Sequence, residues 1–288
     1  MSVASAERLA PLQSEGRSAA RSIPPVRPRR GASRRNGWKP VLLGLLIPVV
    51  VVVLWWLATS YGWINRALLA SPAEVGEAFA IRLADGTLLE YIGASLLRAL
   101  GGLIASILIG GTLGIIAGLS KIGHHLLDGP MTALKAVPFP ALIPLLLIWF
   151  GIGEPIRIAV IVLAAAFPIY LNTVGGITSI DPKLRELSVV RGVAGWRFLW
   201  QVVVPGALPQ FLVGFRLAII ISMLALVFAE DIAADSGLGY LLFRAQQFSQ
   251  TDVIILVAIL YAILGLIISA LVTLLERVLL PWRKAFNR

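Results

Sequence analysis

The chain contains no cysteine. Disulfides, thiolate zinc centres, iron–sulfur clusters and cysteine nucleophiles are thereby excluded. Histidine is nearly as scarce: His124 and His125 are the only two, adjacent in a short polar stretch that reads as a loop. Neighbouring helix positions point in different directions and cannot grip one ion together, so interfacial loop histidines and no metal site are expected. Charge is also thin, at 14% of residues, against roughly 25% in soluble domains. With 58% hydrophobic residues and a mean hydropathy of +0.88, the composition is that of a membrane protein. No Gly-x-x-x-x-Gly-Lys-Ser/Thr phosphate loop is present. No cofactor is expected on this chain, and ATP chemistry would need a separate protein.

The positive charge is concentrated at the N-terminus. Residues 1–39 hold Arg8, Arg17, Arg21, Arg27, Arg29, Arg30, Arg34, Arg35 and Lys39 against Glu7 and Glu15, seven of the net +10. This segment is rich in Ser, Pro and Arg, lacks a hydrophobic period and cannot bury enough surface to fold. A disordered cytoplasmic tail is expected, one that touches anionic lipid and not nucleic acid. No short apolar run with a small-residue cleavage site follows it, so no removable signal peptide is expected.

A helix needs about 20 apolar residues to cross the hydrocarbon core. Six stretches qualify: 41–60, 99–119, 134–152, 158–177, 211–229 and 253–275. The expected fold is an all-α membrane protein with six transmembrane helices. Its parts are the tail (1–39), the first span with an outer interfacial helix (40–88), a transmembrane core (89–276) and a cytoplasmic C-terminal tail (277–288). Retention of Lys and Arg in cytoplasmic loops sets the orientation. With the N-terminus inside, the inner side collects the nine tail cations with Lys121, Lys135, Lys183, Arg185, Arg191, Arg197, Arg216, Arg277, Arg283, Lys284 and Arg288. The outer side receives only Arg66, Arg82, Arg98, Arg157 and Arg244, a split of 20 to 5. Both termini are therefore expected in the cytoplasm. On the outer side, Ser71-Pro72-Ala73-Glu74 and Thr87-Leu88-Leu89-Glu90 read as capping boxes, the first with proline at the opening helical position. They predict a helix over 72–84 and another leading into the second span, both packing the bundle's outer edge.

In the second span Gly102, Ser106, Gly110, Gly114 and Gly118 recur every four residues. Small residues at this spacing let helix backbones approach closely, so the stripe reads as a packing face, with a substrate-lining face as the alternative. The third span carries Pro138, Pro140 and Pro144. Proline frees backbone carbonyls, which a membrane tolerates only beside protein or a water-filled cavity. A kinked helix is one reading and a permeation pathway the other. Lys135, just before the prolines, is expected to snorkel to the inner interface rather than assist an anion. Glu230, Asp231 and Asp235 close the fifth span and read as solvated helix-end charges, with Glu230 also a candidate for gating the outer mouth. Arg216 reads as a solvated charge at the inner end.

The connection 178–210 is polar to basic and long. Asp181-Pro182 opens a helix; Leu184, Leu187 and Val190 follow at helical spacing among Lys183, Arg185, Glu186 and Arg191; Gly192 ends it as a left-handed cap. Trp196, Phe198, Leu199, Val202 and Val203 form a second apolar set before Pro205 and Pro209. A helix–Gly–helix lying along the inner face is a docking surface that can transmit a push.

These residues resemble the cytoplasmic signature of the permease subunits of ATP-binding-cassette importers: Glu-Ala-Ala, three residues, Gly, nine residues, Ile, one residue, Leu-Pro. Glu186, Gly192, Val202, Val204 and Pro205 fall at the required spacing. Leu187 and Ser188 stand where the family has alanines, and valines replace Ile and Leu. The resemblance covers about residues 90 to 276 and implies the type I importer permease fold, a five-helix core preceded by an N-terminal helix. It narrows to the nitrate, sulfonate and taurine subfamily through Leu69-Ala70-Ser71-Pro72, Ala94-Ser95-Leu96-Leu97-Arg98, Ala141-Leu142-Ile143-Pro144-Leu145, Trp149-Phe150-Gly151-Ile152, Phe167-Pro168-Ile169-Tyr170-Leu171-Asn172-Thr173 and Ser236-Gly237-Leu238-Gly239-Tyr240. Pro205-Gly206-Ala207-Leu208-Pro209 and Gln250-Thr251-Asp252-Val253 are most similar to aliphatic-sulfonate permeases.

The resemblance implies a homodimer in the bacterial inner membrane, two ATPase subunits carrying ATP-Mg below it, and a periplasmic or lipid-anchored solute-binding protein above. Residues 182–195 are then expected in a groove of each ATPase, with Glu186, Leu187, Ser188, Arg191, Gly192, Trp196 and Pro205 as the coupling residues. Two other classes compete. An intramembrane serine or aspartyl protease needs its catalytic groups at membrane depth, whereas the histidines sit in a polar stretch and the aspartates at span ends. A stand-alone secondary transporter favours ionisable groups near the midplane, and none stands out in the six stretches.

Overall fold

Proline, glycine and short polar breaks cut this apolar sequence into helices. The computed structural model describes residues 39–232 and 234–281. The expected tail up to residue 38, and Arg283, Lys284 and Arg288, lie outside the described residues. Cα packing separates Met1–Val51 from Val52–Arg288. Of the first unit, only the opening of α1 (Lys39–Ser60) is described. Among the described residues every regular element is helical.

The second unit starts within α1. Trp55 Nε1 donates to the Ala70 carbonyl at 2.9 Å, tying the end of α1 to the entrance of α2 (Pro72–Ala84). The first capping box forms: Ser71 Oγ accepts from the Glu74 amide at 3.3 Å, and the Ser71 amide donates to Glu74 Oε2 at 2.6 Å. The second does not. Asp85 Oδ1 accepts both the amide and the hydroxyl of Thr87, at 2.9 and 2.6 Å, so Thr87 becomes the first helical residue and Gly86, at φ +80°, the cap.

The third predicted span is corrected. After α3 (Thr87–Leu119), α4 (Lys121–Ala136) begins at once, capped by Ser120 Oγ on the Gly123 amide at 3.2 Å. His124 and His125 therefore lie on a helix, not in a loop. Pro138 bars Val137 from helical angles. Val137 is extended, at φ −84° and ψ 122°, and a 3₁₀ turn (Phe139–Leu142) leads into α5 (Ile143–Phe150). The two halves meet at 94°. At eight residues, α5 is about 12 Å long, too short to cross a bilayer by itself. The chain therefore breaks between α4 and α5 rather than kinks.

Next come α6 (Glu154–Thr178), α7 (Pro182–Val190), α8 (Gly195–Phe198), a π-helical turn (Leu199–Val203), α9 (Val204–Asp231), α10 (Leu238–Gln247) and α11 (Thr251–Leu279). The π turn falls just before Pro205, which has no amide proton to give the Gln201 carbonyl. Among the described residues four helices are long and apolar enough to cross a membrane: Thr87–Leu119, Glu154–Thr178, Gly195–Asp231 and Thr251–Leu279. Counting the bent pair as one span gives a fifth candidate, and Leu46–Ser60 is a shorter apolar helix.

The core is α6, held between α3 and α9. Lipid offers no hydrophobic drive between helices, so close contact has to come from small residues. A Cβ on Gly102 would lie 2.5 Å from Ile161, one on Gly114 2.6 Å from Thr173 and one on Gly118 2.8 Å from Ile177, while one on Gly110 would run into the Ala166 carbonyl oxygen. Ser106, fully buried in the same stripe, turns its hydroxyl onto the Gly102 carbonyl at 2.7 Å. The contact pairs ascend together, so α3 and α6 are parallel and the bent pair must return the chain between them. On the other side Gly214 meets Pro168 and Asn172 while Gly176 meets Ala207. That order descends, so α9 is antiparallel to α6.

Candidate coupling surface and buried charge cluster

At the end where α6 finishes and α9 starts, the chain builds an exposed elbow. Asp181 caps α7 by accepting from the Lys183 amide at 2.9 Å, and Pro182 takes the first turn, where no amide bond is lost. At the far end the Gly192 amide donates to Val189 at 3.0 Å and the Val193 amide to Ser188 at 2.8 Å. This pair of bonds requires a left-handed residue between them, and Gly192 supplies it at φ +66°. Arg185 Nη2 anchors the helix by donating to the Ile177 carbonyl of α6 at 2.9 Å.

The named coupling residues sort by exposure. Ser188 is buried and closes onto the Arg185 carbonyl at 2.6 Å. Glu186, Arg191, Gly192 and Pro205 are exposed. So are the apolar Leu187, Val189, Val190 and Trp196, the last stacked edge-on against Trp200 at 5.5 Å. Apolar side chains interleaved with Glu186 and Arg191 thus form an exposed patch of mixed character on this short helix.

The opposite end holds a polar cluster that sequence reasoning missed. Arg98 on α3 is 7% exposed. Its Nε donates to both Glu154 oxygens at 3.1 and 2.9 Å, its Nη2 to Glu154 Oε1 at 2.7 Å, and its Nη1 to Glu230 Oε1 at 3.0 Å and the Ser236 carbonyl at 2.6 Å. Glu230 is fully buried, which corrects its reading as a solvated charge. Ser95 Oγ bonds its two oxygens at 2.7 and 2.9 Å, and the Gly239 amide donates at 2.7 Å. Arg157 completes the group through Glu154. One network thus joins α3, the start of α6, the end of α9 and the start of α10. Gly237 and Gly239 pack directly on the Glu230 side chain, so the Ser236–Tyr240 run is the receptor for a buried carboxylate. Arg216, read as a solvated charge, has a side chain 42% exposed and donates to Glu276 of α11 at 2.9 Å.

The pathway candidates are not gathered at one place. Pro138 lines a cavity of about 440 Å³ between the broken span, α6 and α9. Pro140 and Pro144 are absent from its walls, and Glu230 belongs to the charge cluster. Lys135 lines that cavity with its ammonium 5.3 Å from the centre of the Phe167 ring, beside the middle of the 25-residue α6. Among the described residues there is no group of three or more metal-ligating side chains.

Known proteins match this arrangement. The family described as "Binding-protein-dependent transport system inner membrane component" matches residues 110–284. An Escherichia coli strain K12 permease protein named for aliphatic sulfonates transport is 43% identical over 84% of this chain and 92% of its own length. A Bacillus subtilis strain 168 protein of the same name is 36% identical over 90% and 93%. The taurine transport system permease protein of E. coli is 33% identical over 87% and 94%. Among solved structures, an inward-facing methionine ABC transporter chain aligns with a TM-score of 0.61 at 18% identity, over 68% of this chain and 97% of that one. An amino acid ABC transporter chain aligns at 0.55 and 15% identity, over 69% and 97%. Both show the shared fold. The chain belongs to the family of binding-protein-dependent transport system inner membrane components.

Proposed function

We propose that this chain is the permease subunit of an ATP-driven importer for aliphatic sulfonates. Two copies of it form the translocation pathway, with an ATPase under each and a solute-binding protein on the outer face. The observation that carries this reading is the α7–Gly192 elbow: a rigid, exposed, mixed apolar and charged helix at one end of the bundle, spaced as the importer signature requires. In the absence of a phosphate loop, the motor is a second protein. The sulfonate assignment rests on relatives named for sulfonate transport at 43% and 36% identity. A taurine relative at 33% supports taurine, itself an aminosulfonate, as the second reading; nitrate import has only the sequence resemblance behind it.

Six crossings complete the topology, with α1 before α3, the bent pair, α6, α9 and α11, and with both termini in the cytoplasm. The 20 to 5 split of basic residues supports that orientation. Helices α7 and α8 then lie on the cytoplasmic side, and the Arg98–Glu230 cluster near the outer side. Closure of the ATPases on ATP pulls the two elbows together. Because Gly192 sets the turn and Arg185 fastens α7 to α6, the pull reaches α6 and α9 as rigid rotation and opens the outer mouth. The test is growth on an alkanesulfonate as sole sulfur source in a strain lacking its own permease, ATPase and binding protein. Complementation by this chain together with its ATPase and binding protein is expected; complementation by this chain alone contradicts the reading.

A further inference from the structure

The cavity at the broken span holds a cation that no carboxylate neutralises. Among the described residues Lys135 has no salt-bridge partner, and its one recorded contact is the Phe167 ring. An ionisable side chain beside the middle of a membrane helix is costly and belongs on a water-accessible pathway rather than against lipid. The side chain is exposed into that cavity, and the walls around it are apolar: Phe139, Leu163, Ala164, Leu217 and Ile221.

The same cavity is also lined by a neutral donor, Asn172. Asn172 is buried, its Nδ2 donates to the Pro168 carbonyl at 2.8 Å, and its Oδ1 accepts from Gln210 at 3.0 Å. An amide nitrogen carries two protons, so one remains, on a side chain whose rotation is blocked from both ends. A point cation, an oriented amide and an aliphatic enclosure together match an anionic headgroup carrying a short alkyl chain.

We propose that Lys135 is the anion-recognition residue of the translocation pathway, binding a sulfonate headgroup while the apolar walls take the alkyl chain. Asn172 supplies the second donor, and Gln210 is its positioning residue. This rests on the importer reading above. The break at Pro138 lies in the wall of the same cavity.

The natural absence of cysteine permits a clean test. K135C is introduced into the complex with its ATPase and binding protein, reconstituted in proteoliposomes, and uptake of radiolabelled butanesulfonate is measured. Uptake is expected to fall about tenfold or more, as expected for loss of one partner of a desolvated charge pair, with binding-protein-stimulated ATP hydrolysis preserved. Treatment with aminoethyl methanethiosulfonate, which restores a cation on the side chain, is expected to recover uptake; sulfonatoethyl methanethiosulfonate is not. K135Q is the second variant should the cysteine lower assembly. Uptake that survives in K135C or K135Q, or that recovers equally with either reagent, overturns this assignment alone. A wild-type complex that moves no sulfonate overturns the importer reading together with it.

Discussion

Arg98 on α3 reaches Glu230 at the end of α9, Nη1 to Oε1 at 3.0 Å, through side chains that are 8% and 0% exposed. Removing one partner of such a pair leaves the other buried without its counter-charge, which costs about 3–5 kcal/mol, while replacing both with apolar groups is far milder. R98M is therefore expected to lower the melting temperature of the detergent-solubilised protein sharply. R98M/E230M should recover more than half of that loss. Glu154 adds little to the penalty because its side chain is 52% exposed and can return to water. Strictly additive losses in the double variant contradict this account of the cluster.

The glycine stripe gives a second contrast between adjacent residues. Gly110 faces the Ala166 carbonyl, whereas Gly111 has nothing within 4 Å of where a Cβ would stand. G110A is expected to force α3 away from α6 at about 1–3 kcal/mol. G111A should be neutral or stabilise by up to about 1 kcal/mol through helix propensity. Thermal unfolding of the two variants side by side checks the assignment.

Gly192 separates backbone conformation from space. Nothing lies within 4 Å of a Cβ there, so a substitution meets strain at φ +66° but no clash. G192V should cost about 1–2 kcal/mol locally and reduce uptake while leaving membrane insertion intact. G192N, which tolerates the left-handed region, should retain most uptake. Equal loss in both variants would mean that the turn is not what matters.

The outer helix α2 carries a pH dependence of known sign. The Ser71 amide, then the Ser71 hydroxyl, hold the Glu74 carboxyl below its ordinary value of 4.5. A carboxyl depressed on folding contributes stability that is complete above the unfolded value and lost as pH falls through the lower folded one. Amide protection at the start of α2 should therefore be flat from neutral pH to about 4.5 and decline only in stronger acid. In S71A the decline should shift to higher pH, as followed by hydrogen exchange.

Features written in local sequence were legible, and those written across the fold were not. The Ser71 box, the Gly192 cap and the periodic glycines each depend on residues within a turn or two, and each is visible in the structure. Thr87 shows the limit of that locality: Asp85, two residues earlier, captured the hydroxyl that the box required. The break at Val137 was signalled by three prolines, but its 94° angle was not, because a long apolar run masks where a helix stops. Glu230 and Arg98 looked like charges at span ends because their partnership runs across 132 residues of sequence. The glycines at 237 and 239 were the available clue, since two close-approach residues beside a run of acids imply something to approach.

The most direct measurement concerns the elbow. In this cysteine-free chain, E186C is combined with single cysteines around the groove of the partner ATPase, and disulfide capture is followed with and without ATP. The account predicts strong capture that leaves the permease inserted and stops uptake until reduction. Labelling of E186C by a membrane-impermeant reagent from the periplasmic side, or no capture at any ATPase position, would contradict it.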